Sequence, residues 1–159
     1  MRPPAVIRIA AAIVTDACGR LLLVRKAGTA AFMQPGGKPE PGESAAQALV
    51  RELREEIGVS LEPSAAVFLG VRTAVAANEP HCLVEAALFR VALAGDVALG
   101  AEIEELAWID PREPGDRLLA PLTRDHVLPM VLDDGRLLPC GAGEDKALSL
   151  PLPPPPVAG

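Results

Sequence analysis

Five glutamates are concentrated in one 24-residue segment, GGKPEPGESAAQALVRELREEIGV, which runs from residue 36 to residue 59. Glu52, Glu55 and Glu56 are three and four residues apart, so a helix would place their carboxylates on one face. Like charges at this spacing destabilise an isolated helix by roughly a few tenths of a kcal/mol per pair. A hard divalent cation such as Mg²⁺ would reverse the sign of that interaction. The segment is therefore either a solvated charged face or a cation site.

The element that would position these carboxylates is a helix with well-marked ends. Ser44 and Gln47 have the spacing of a capping box, and Gly58 fits the position that ends a helix. Three apolar residues recur at four-residue spacing: Leu49, Leu53 and Ile57. This stripe would bury against a sheet and leave the acidic face free. In the alternative of a solvated face, Arg51 and Arg54 would neutralise the glutamates.

Apolar runs predict the rest of the fold. Five runs are expected to form strands: Val6 to Val14, Leu21 to Val24, Val67 to Val75, Cys82 to Leu93 and Leu106 to Ile109. The turn sequence TDACGR predicts a hairpin between the first two, and residues 28–42, rich in Gly and Pro, predict a loop. A second helix is expected from Pro121 to about Pro129. Strands mixed with two helices indicate an α/β or α+β fold.

Composition excludes several classes of function. The 159 residues carry a net charge of −6 and no basic cluster, which argues against a nucleic-acid polymer as partner. No apolar run approaches the roughly 20 residues of a membrane span. Three distant cysteines without metal-binding spacing favour a reduced, cytoplasmic protein. We expect one domain over residues 1–133. The proline-rich tail, 134–159, is either a mobile end or a ligand for a polyproline-binding groove.

The acidic helix belongs to a longer pattern. From Gly37 to Val59 the chain matches G-x5-E-x7-R-E-U-x-E-E-x-G-U at every fixed position, where U is a bulky aliphatic residue. A chance match in this chain is on the order of 10⁻⁷. The sequence thus resembles the Nudix hydrolases over about residues 5–131. The resemblance implies a mixed β-sheet sandwiched between α-helices, and Mg²⁺- or Mn²⁺-dependent hydrolysis of a nucleoside diphosphate linked to another group.

Carried over by this resemblance, the metal ligands would be Glu52, Glu55 and Glu56 with the backbone carbonyl of Gly37. The metal would offset phosphate charge and lower the pKa of a bound water. Glu52 would orient or deprotonate that water, although members of the family differ in which carboxylate is the base.

The resemblance also implies residues that support this centre. Arg51 would hold Glu52 by a charge-assisted hydrogen bond. Glu43 would complete the network between loop and helix, unless it only compensates the helix dipole. Lys38 and Arg25 would meet the substrate phosphates, and for each the alternative is a solvent-exposed charge.

Other candidates lie outside the pattern. A further catalytic glutamate is sought in AEIEELAWID, where Glu102 or Glu105 is preferred to Glu104, and the alternative is a charged loop. Phe32 would stack on a base, unless it is a core residue that closes the loop. Asn78 would hydrogen-bond a base edge, unless it stabilises a turn.

The substrate is inferred by elimination. The chain has no Tyr, lacks Pro at the position used by ADP-ribose pyrophosphatases, and has no coenzyme A signature. What remains is most similar to MutT-like enzymes that convert a nucleoside triphosphate to a monophosphate and pyrophosphate, with 8-oxo-dGTP as the preferred substrate. The alternatives are an ADP-ribose or nucleotide-sugar pyrophosphatase and a non-catalytic nucleotide-binding module. A homodimer is compatible with the sequence.

Overall fold

The computed structural model describes residues 2–93 and 96–133. In chain order its elements are β1 (Ala5–Val14), β2 (Leu21–Lys26), β3 (Gly36–Gly37), α1 (Ala45–Ile57), β4 (Val67–Val75), β5 (Cys82–Val91), β6 (Ile103–Ile109) and α2 (Leu128–Asp133). The tail predicted for residues 134–159 lies outside this range. No helix in the described ranges is long and apolar enough to cross a bilayer.

Two sheets organise the chain. The larger sheet has the order β3-β1-β5-β4, in which β1 and β5 are parallel and the outer pairs are antiparallel. The smaller sheet is the antiparallel pair β2-β6. Mixed sheets with two helices confirm the α+β class. Strand β4 begins and ends as predicted, whereas β5 ends two residues earlier, at Val91, and β6 begins three residues earlier, at Ile103.

The predicted hairpin between the first two strands is wrong. Only the bridge between Thr15 and Leu21 joins them, and β2 continues into the other sheet. Both edges of β1 are occupied, by β3 and by β5, so β2 has no edge of β1 on which to pair. The turn itself forms, because the Asp16 carboxylate accepts hydrogen bonds from the Cys18 and Arg20 backbone amides at 2.9 and 2.8 Å.

Helix α1 forms as its sequence predicts. The Ser44 hydroxyl accepts from the Gln47 amide, and the Gln47 side chain accepts from the Ser44 amide, which completes the capping box. Gly58 ends the helix in the left-handed conformation, with φ of 70°. The apolar stripe is fully buried against one face of the sheets, in a cluster that includes Val14, Leu22 and Val24. The acidic face of α1 is thereby turned toward the segment predicted as a loop.

That segment contains the short strand β3, which the sequence did not predict. Gly36 and Gly37 pair with Ala11 and Ala10 of β1. Gly36 has φ of 149°, and a Cβ at this position would collide with the Ala10 carbonyl oxygen. Only glycine therefore permits β3 to pair so closely with β1.

The second helix extends beyond its predicted end. Helical structure begins at Pro121, continues through a π-helical turn at Thr123–Val127 and ends with α2 at Asp133. Pro129 is the second residue of α2 and not its end. Pro129 lacks the amide that would bond back into the preceding turn, and it comes soon after the π-helical turn, where the regular ladder of hydrogen bonds is already interrupted.

Candidate active site

The site forms where β3 meets the acidic face of α1. The Gly36 amide donates to Oε1 of Glu56 at 3.1 Å. A Cβ on Gly37 would overlap the Glu52 carboxylate, which shows how closely this backbone approaches the helix. The glycine pair thus brings two carboxylates of α1, four residues apart, against one strand.

Arg51 organises the acidic side chains around it. Its guanidinium donates twice to Glu43, at 2.8 Å each, and once to Oε2 of Glu52 at 3.1 Å. It also donates to the Lys38 carbonyl at 3.1 Å and lies 3.7 Å from Oε1 of the exposed Glu55. The predicted contact between Arg51 and Glu52 is therefore present. The catalytic roles of both residues stay predictions.

Glu43 is the main anchor of this guanidinium. The hydrogen bonds from Arg51, and then the backbone amide of Glu40, lower the pKa of Glu43 to about 2. The same pairing raises the pKa of Arg51 above its usual value. Glu43 therefore stays ionised across the physiological range and ties the loop before α1 to Arg51.

Glu56 is the most buried carboxylate of the cluster, with 5% of its side chain exposed. Burial raises its pKa to about 7, although the nearby Lys26 ammonium and the Gly36 amide act in the opposite direction. Nζ of Lys26 lies 3.2 Å from Oε2 of Glu56. Glu52 adds a smaller upward contribution to the pKa, which places the two carboxylates within electrostatic reach of each other.

This burial predicts a pH dependence of stability for the metal-free protein. Folded Glu56 holds its proton to about pH 7, whereas the ordinary pKa is 4.5. The folded state then binds more protons between these values, so the free energy of unfolding falls as pH rises from 4.5 to 7. We expect a decrease of about 2–3 kcal/mol. Glu56→Gln should abolish this slope.

Urea unfolding with a chelator present, at pH 5 and at pH 8, measures the effect. Glu55→Gln is the matched control, because 60% of the Glu55 side chain is exposed. The slope should persist in that variant. If wild type and Glu56→Gln lost stability equally with pH, burial of Glu56 would not be its cause.

A cavity of about 330 Å³ opens beside the glycine pair. Its walls come from β1, from the end of β4 and from the loop after β4. Five residues predicted from the sequence line it: Gly37, Lys38, Glu52, Asn78 and Glu102. Elements distant in sequence thus bring Asn78 and Glu102 to the same cavity as the glutamate helix.

Comparison with known proteins decides the family. The protein-family model of the NUDIX domain matches residues 6–131 of this chain. The chain belongs to the Nudix family. It is 34% identical over 101 residues to a Bacillus subtilis protein provisionally named an 8-oxo-dGTP diphosphatase, covering 62% of this chain and 63% of that protein. The 8-oxo-dGTP diphosphatase of Haemophilus influenzae is 41% identical over 58 residues, 34% of this chain and 43% of that protein. The chain therefore spans less than two thirds of the length of either relative.

Solved structures agree with this family at the level of the fold. The MutT protein of Methanosarcina mazei Go1 superposes with a TM-score of 0.68 at 21% identity, covering 86% of this chain and 99% of that one. At this identity the likeness concerns the fold alone. The predicted Nudix fold is confirmed.

Two residues predicted to contact the substrate do not line this cavity. Arg25 donates to Glu105 at 3.0 and 3.1 Å, to Glu104 at 3.1 Å and to the Thr29 carbonyl at 2.9 Å. Phe32 is 6% exposed within the core, and the Arg117 guanidinium lies 5.5 Å from its ring centre. The structure therefore places Arg25 on the β2–β6 sheet and Phe32 in the core.

Three polar side chains that the sequence did not single out line the cavity: Lys26, Gln34 and Glu79. Lys26 could have been found from the alternation of β2. Leu22 and Val24 pack against α1, and Lys26 continues the same two-residue period. Gln34 is buried and accepts a hydrogen bond from the Thr123 hydroxyl at 2.6 Å. The two residues are 89 positions apart, so no local sequence pattern predicts this contact.

Divalent metals are general to Nudix hydrolases, and the residues here fit such an ion in chemistry. The carboxylates of Glu52, Glu55 and Glu56 are hard oxygen ligands, and each lies within 4.0 Å of a cationic side chain, either Arg51 or Lys26. Among the described residues, no three acidic, His or Cys side chains converge tightly enough to hold a metal. An ion held by all three would therefore draw their carboxylates closer together.

Proposed function

We propose that this protein hydrolyses a nucleoside diphosphate linked to another group, with Mg²⁺ or Mn²⁺ held by Glu52, Glu55, Glu56 and the Gly37 carbonyl. The specific reaction is conversion of a nucleoside triphosphate to a monophosphate and pyrophosphate, with 8-oxo-dGTP as preferred substrate. One observation carries the proposal. Glu52, fixed by Arg51, lines the same cavity as two lysines.

Each residue of the site has a separate role in this reaction. The bound metal supplies charge neutralisation at the phosphates and a water of lowered pKa. Glu52 orients that water and accepts its proton, while Arg51 fixes the carboxylate and is itself anchored by Glu43. Lys38, which follows the glycine pair and lines the cavity, binds the phosphates.

The wall formed by the loop after β4 would receive the base. Asn78 lines this wall and offers a donor and an acceptor to a base edge. Of the three glutamates in AEIEELAWID, Glu102 lies on the same cavity and is the candidate for a further catalytic carboxylate, because Glu104 and Glu105 are paired with Arg25. The names of the two curated relatives support an oxidised purine triphosphate. A nucleotide pool in the cytoplasm would supply it.

A substrate panel tests this function. The full chain is incubated with Mg²⁺ and 8-oxo-dGTP, the four ordinary dNTPs, ADP-ribose, a diadenosine polyphosphate or coenzyme A, and the products are separated by chromatography. We expect monophosphate and pyrophosphate, with kcat/KM for 8-oxo-dGTP at least about tenfold above the other triphosphates. Preference for ADP-ribose would contradict the proposed substrate but agree with the proposed role of the metal. Absence of turnover with Mg²⁺ and Mn²⁺ would contradict the enzymatic role.

A further inference from the structure

Lys26 is the last residue of β2 and lies between the cavity and the buried end of the glutamate cluster. Its ammonium is 3.2 Å from Oε2 of Glu56 and donates to the Gly36 carbonyl at 3.3 Å. About one third of its side chain is exposed, at 32%. Lys26 thus contacts a carboxylate proposed to bind the metal and also faces the space proposed for the substrate.

We propose that Lys26 is a positioning residue that occupies the cation position on Glu56 until a divalent metal displaces it, and that its ammonium then moves to an anionic group of the substrate. The inference rests on the proposed function, because that function assigns Glu56 to the metal. It adds a role for a residue outside the family pattern.

Burial explains why Glu56 needs a cation before any metal arrives. A carboxylate with 5% of its side chain exposed has lost most of its hydration, and a single amide at 3.1 Å does not replace it. Lys26 supplies the missing positive charge. Oε1 of Glu56 already accepts from the Gly36 amide, and Oε2 faces Lys26. A divalent ion that took Oε2 would repel the ammonium beside it, which favours displacement of Lys26.

The contacts indicate that Lys26 is the cation that moves. Arg51 makes three hydrogen bonds to carboxylates, two of them at 2.8 Å, and a fourth to a carbonyl, all held by a planar guanidinium. Within the described residues, the Lys26 ammonium makes two polar contacts, at 3.2 and 3.3 Å, from a flexible four-carbon chain. Lys26 also lines the cavity, as does Lys38. An ammonium released from Glu56 therefore reaches space in which a phosphate would sit.

Mn²⁺ binding to the substrate-free protein, measured by titration calorimetry, tests the exchange. Above pH 8, where Glu56 is ionised, Lys26→Met should bind Mn²⁺ at least about fivefold more tightly than wild type, because the competing cation is gone. Lys38→Met is the matched control: it removes the same charge from the same cavity, whereas Glu56 is contacted by Lys26 and the Gly36 amide. We expect its Mn²⁺ affinity to change by less than about twofold.

Hydrolysis should change in the opposite direction. At saturating metal, Lys26→Met should lower kcat/KM at least about tenfold, because the ammonium no longer reaches the substrate. Lys26→Arg keeps the charge and should retain Mn²⁺ affinity within about twofold of wild type. Tighter metal binding together with weaker hydrolysis distinguishes exchange from structural damage, which would weaken both.

A double-mutant cycle ties the effect to Glu56. In a Glu56→Gln background, Lys26→Met should no longer tighten Mn²⁺ binding. If Lys26→Met does not fold, Lys26→Gln keeps a donor for the Gly36 carbonyl and replaces it in every comparison. Mn²⁺ binding that is unchanged or weaker in the variant overturns the proposal, as does tightening that persists without Glu56. Wild type that neither binds Mn²⁺ nor turns over a nucleotide would instead overturn the proposed function.

Discussion

Glu52→Gln is expected to lower kcat about 10³-fold on the nucleotide that wild type cleaves fastest. The substitution keeps the size of the side chain and removes the negative charge proposed to orient the attacking water and accept its proton. It also leaves the Arg51 guanidinium, now 3.1 Å from this carboxylate, facing a neutral amide. The chemistry is affected more than the fold, because Glu52 lies at the cavity and not in the apolar stripe of α1.

Steady-state kinetics with saturating Mg²⁺, together with a thermal melt of each variant, measures this effect. Glu104→Gln is the matched control: it makes the same change at a carboxylate that pairs with Arg25 and is 53% exposed. The control should stay within about twofold of wild type. If Glu52→Gln retained more than a tenth of wild-type kcat, Glu52 would not be the residue that activates the water.

Gly37→Ala is expected to lower kcat about 10²-fold while the protein stays folded. Its Cβ would overlap the Glu52 carboxylate, which is the far end of a flexible side chain and can move. The displaced carboxylate no longer holds its position at the cavity. Misplacement of a reacting group by about 1 Å is enough for a loss of this size.

Gly36→Ala should instead act on the stability of the fold. Its Cβ would strike the Ala10 carbonyl oxygen, which belongs to the backbone of β1 and cannot move without disrupting the sheet. We expect the free energy of unfolding to fall by about 2–4 kcal/mol. Comparison of melting temperature and kcat for the two variants separates the effects. If Gly37→Ala were as destabilising as Gly36→Ala, its loss of activity would not report on Glu52.

The acidic helix could be predicted in detail because its signals are local. The capping box, the apolar stripe and the terminal glycine lie within one segment and act through neighbouring backbone groups. The contact between Arg51 and Glu52 was instead implied by the family resemblance. Short-range geometry fixed the helix and which of its faces is acidic.

The pairing of the strands depends on distant residues and was predicted less well. The turn at Asp16 formed, yet the hairpin did not, because β3 and β5 had taken both edges of β1. Arg25 and Lys26 differ from this case. They are adjacent cations at the end of one strand, and strand alternation places one beside the β6 glutamates and the other beside Glu56.

The parallel pairing of β1 with β5 has a consequence for synthesis of the chain. Arg8 bonds to Glu85 across this pair at 2.8 Å, and the two are 77 residues apart in sequence. During translation from the N-terminus, β1 has no parallel partner until most of the domain has been made. The acidic helix and the glycine pair therefore emerge from the ribosome well before the sheet that supports them can close. Long-range pairing of this kind slows folding. Ribosome-bound chains that end before residue 82 should accordingly be sensitive to protease throughout.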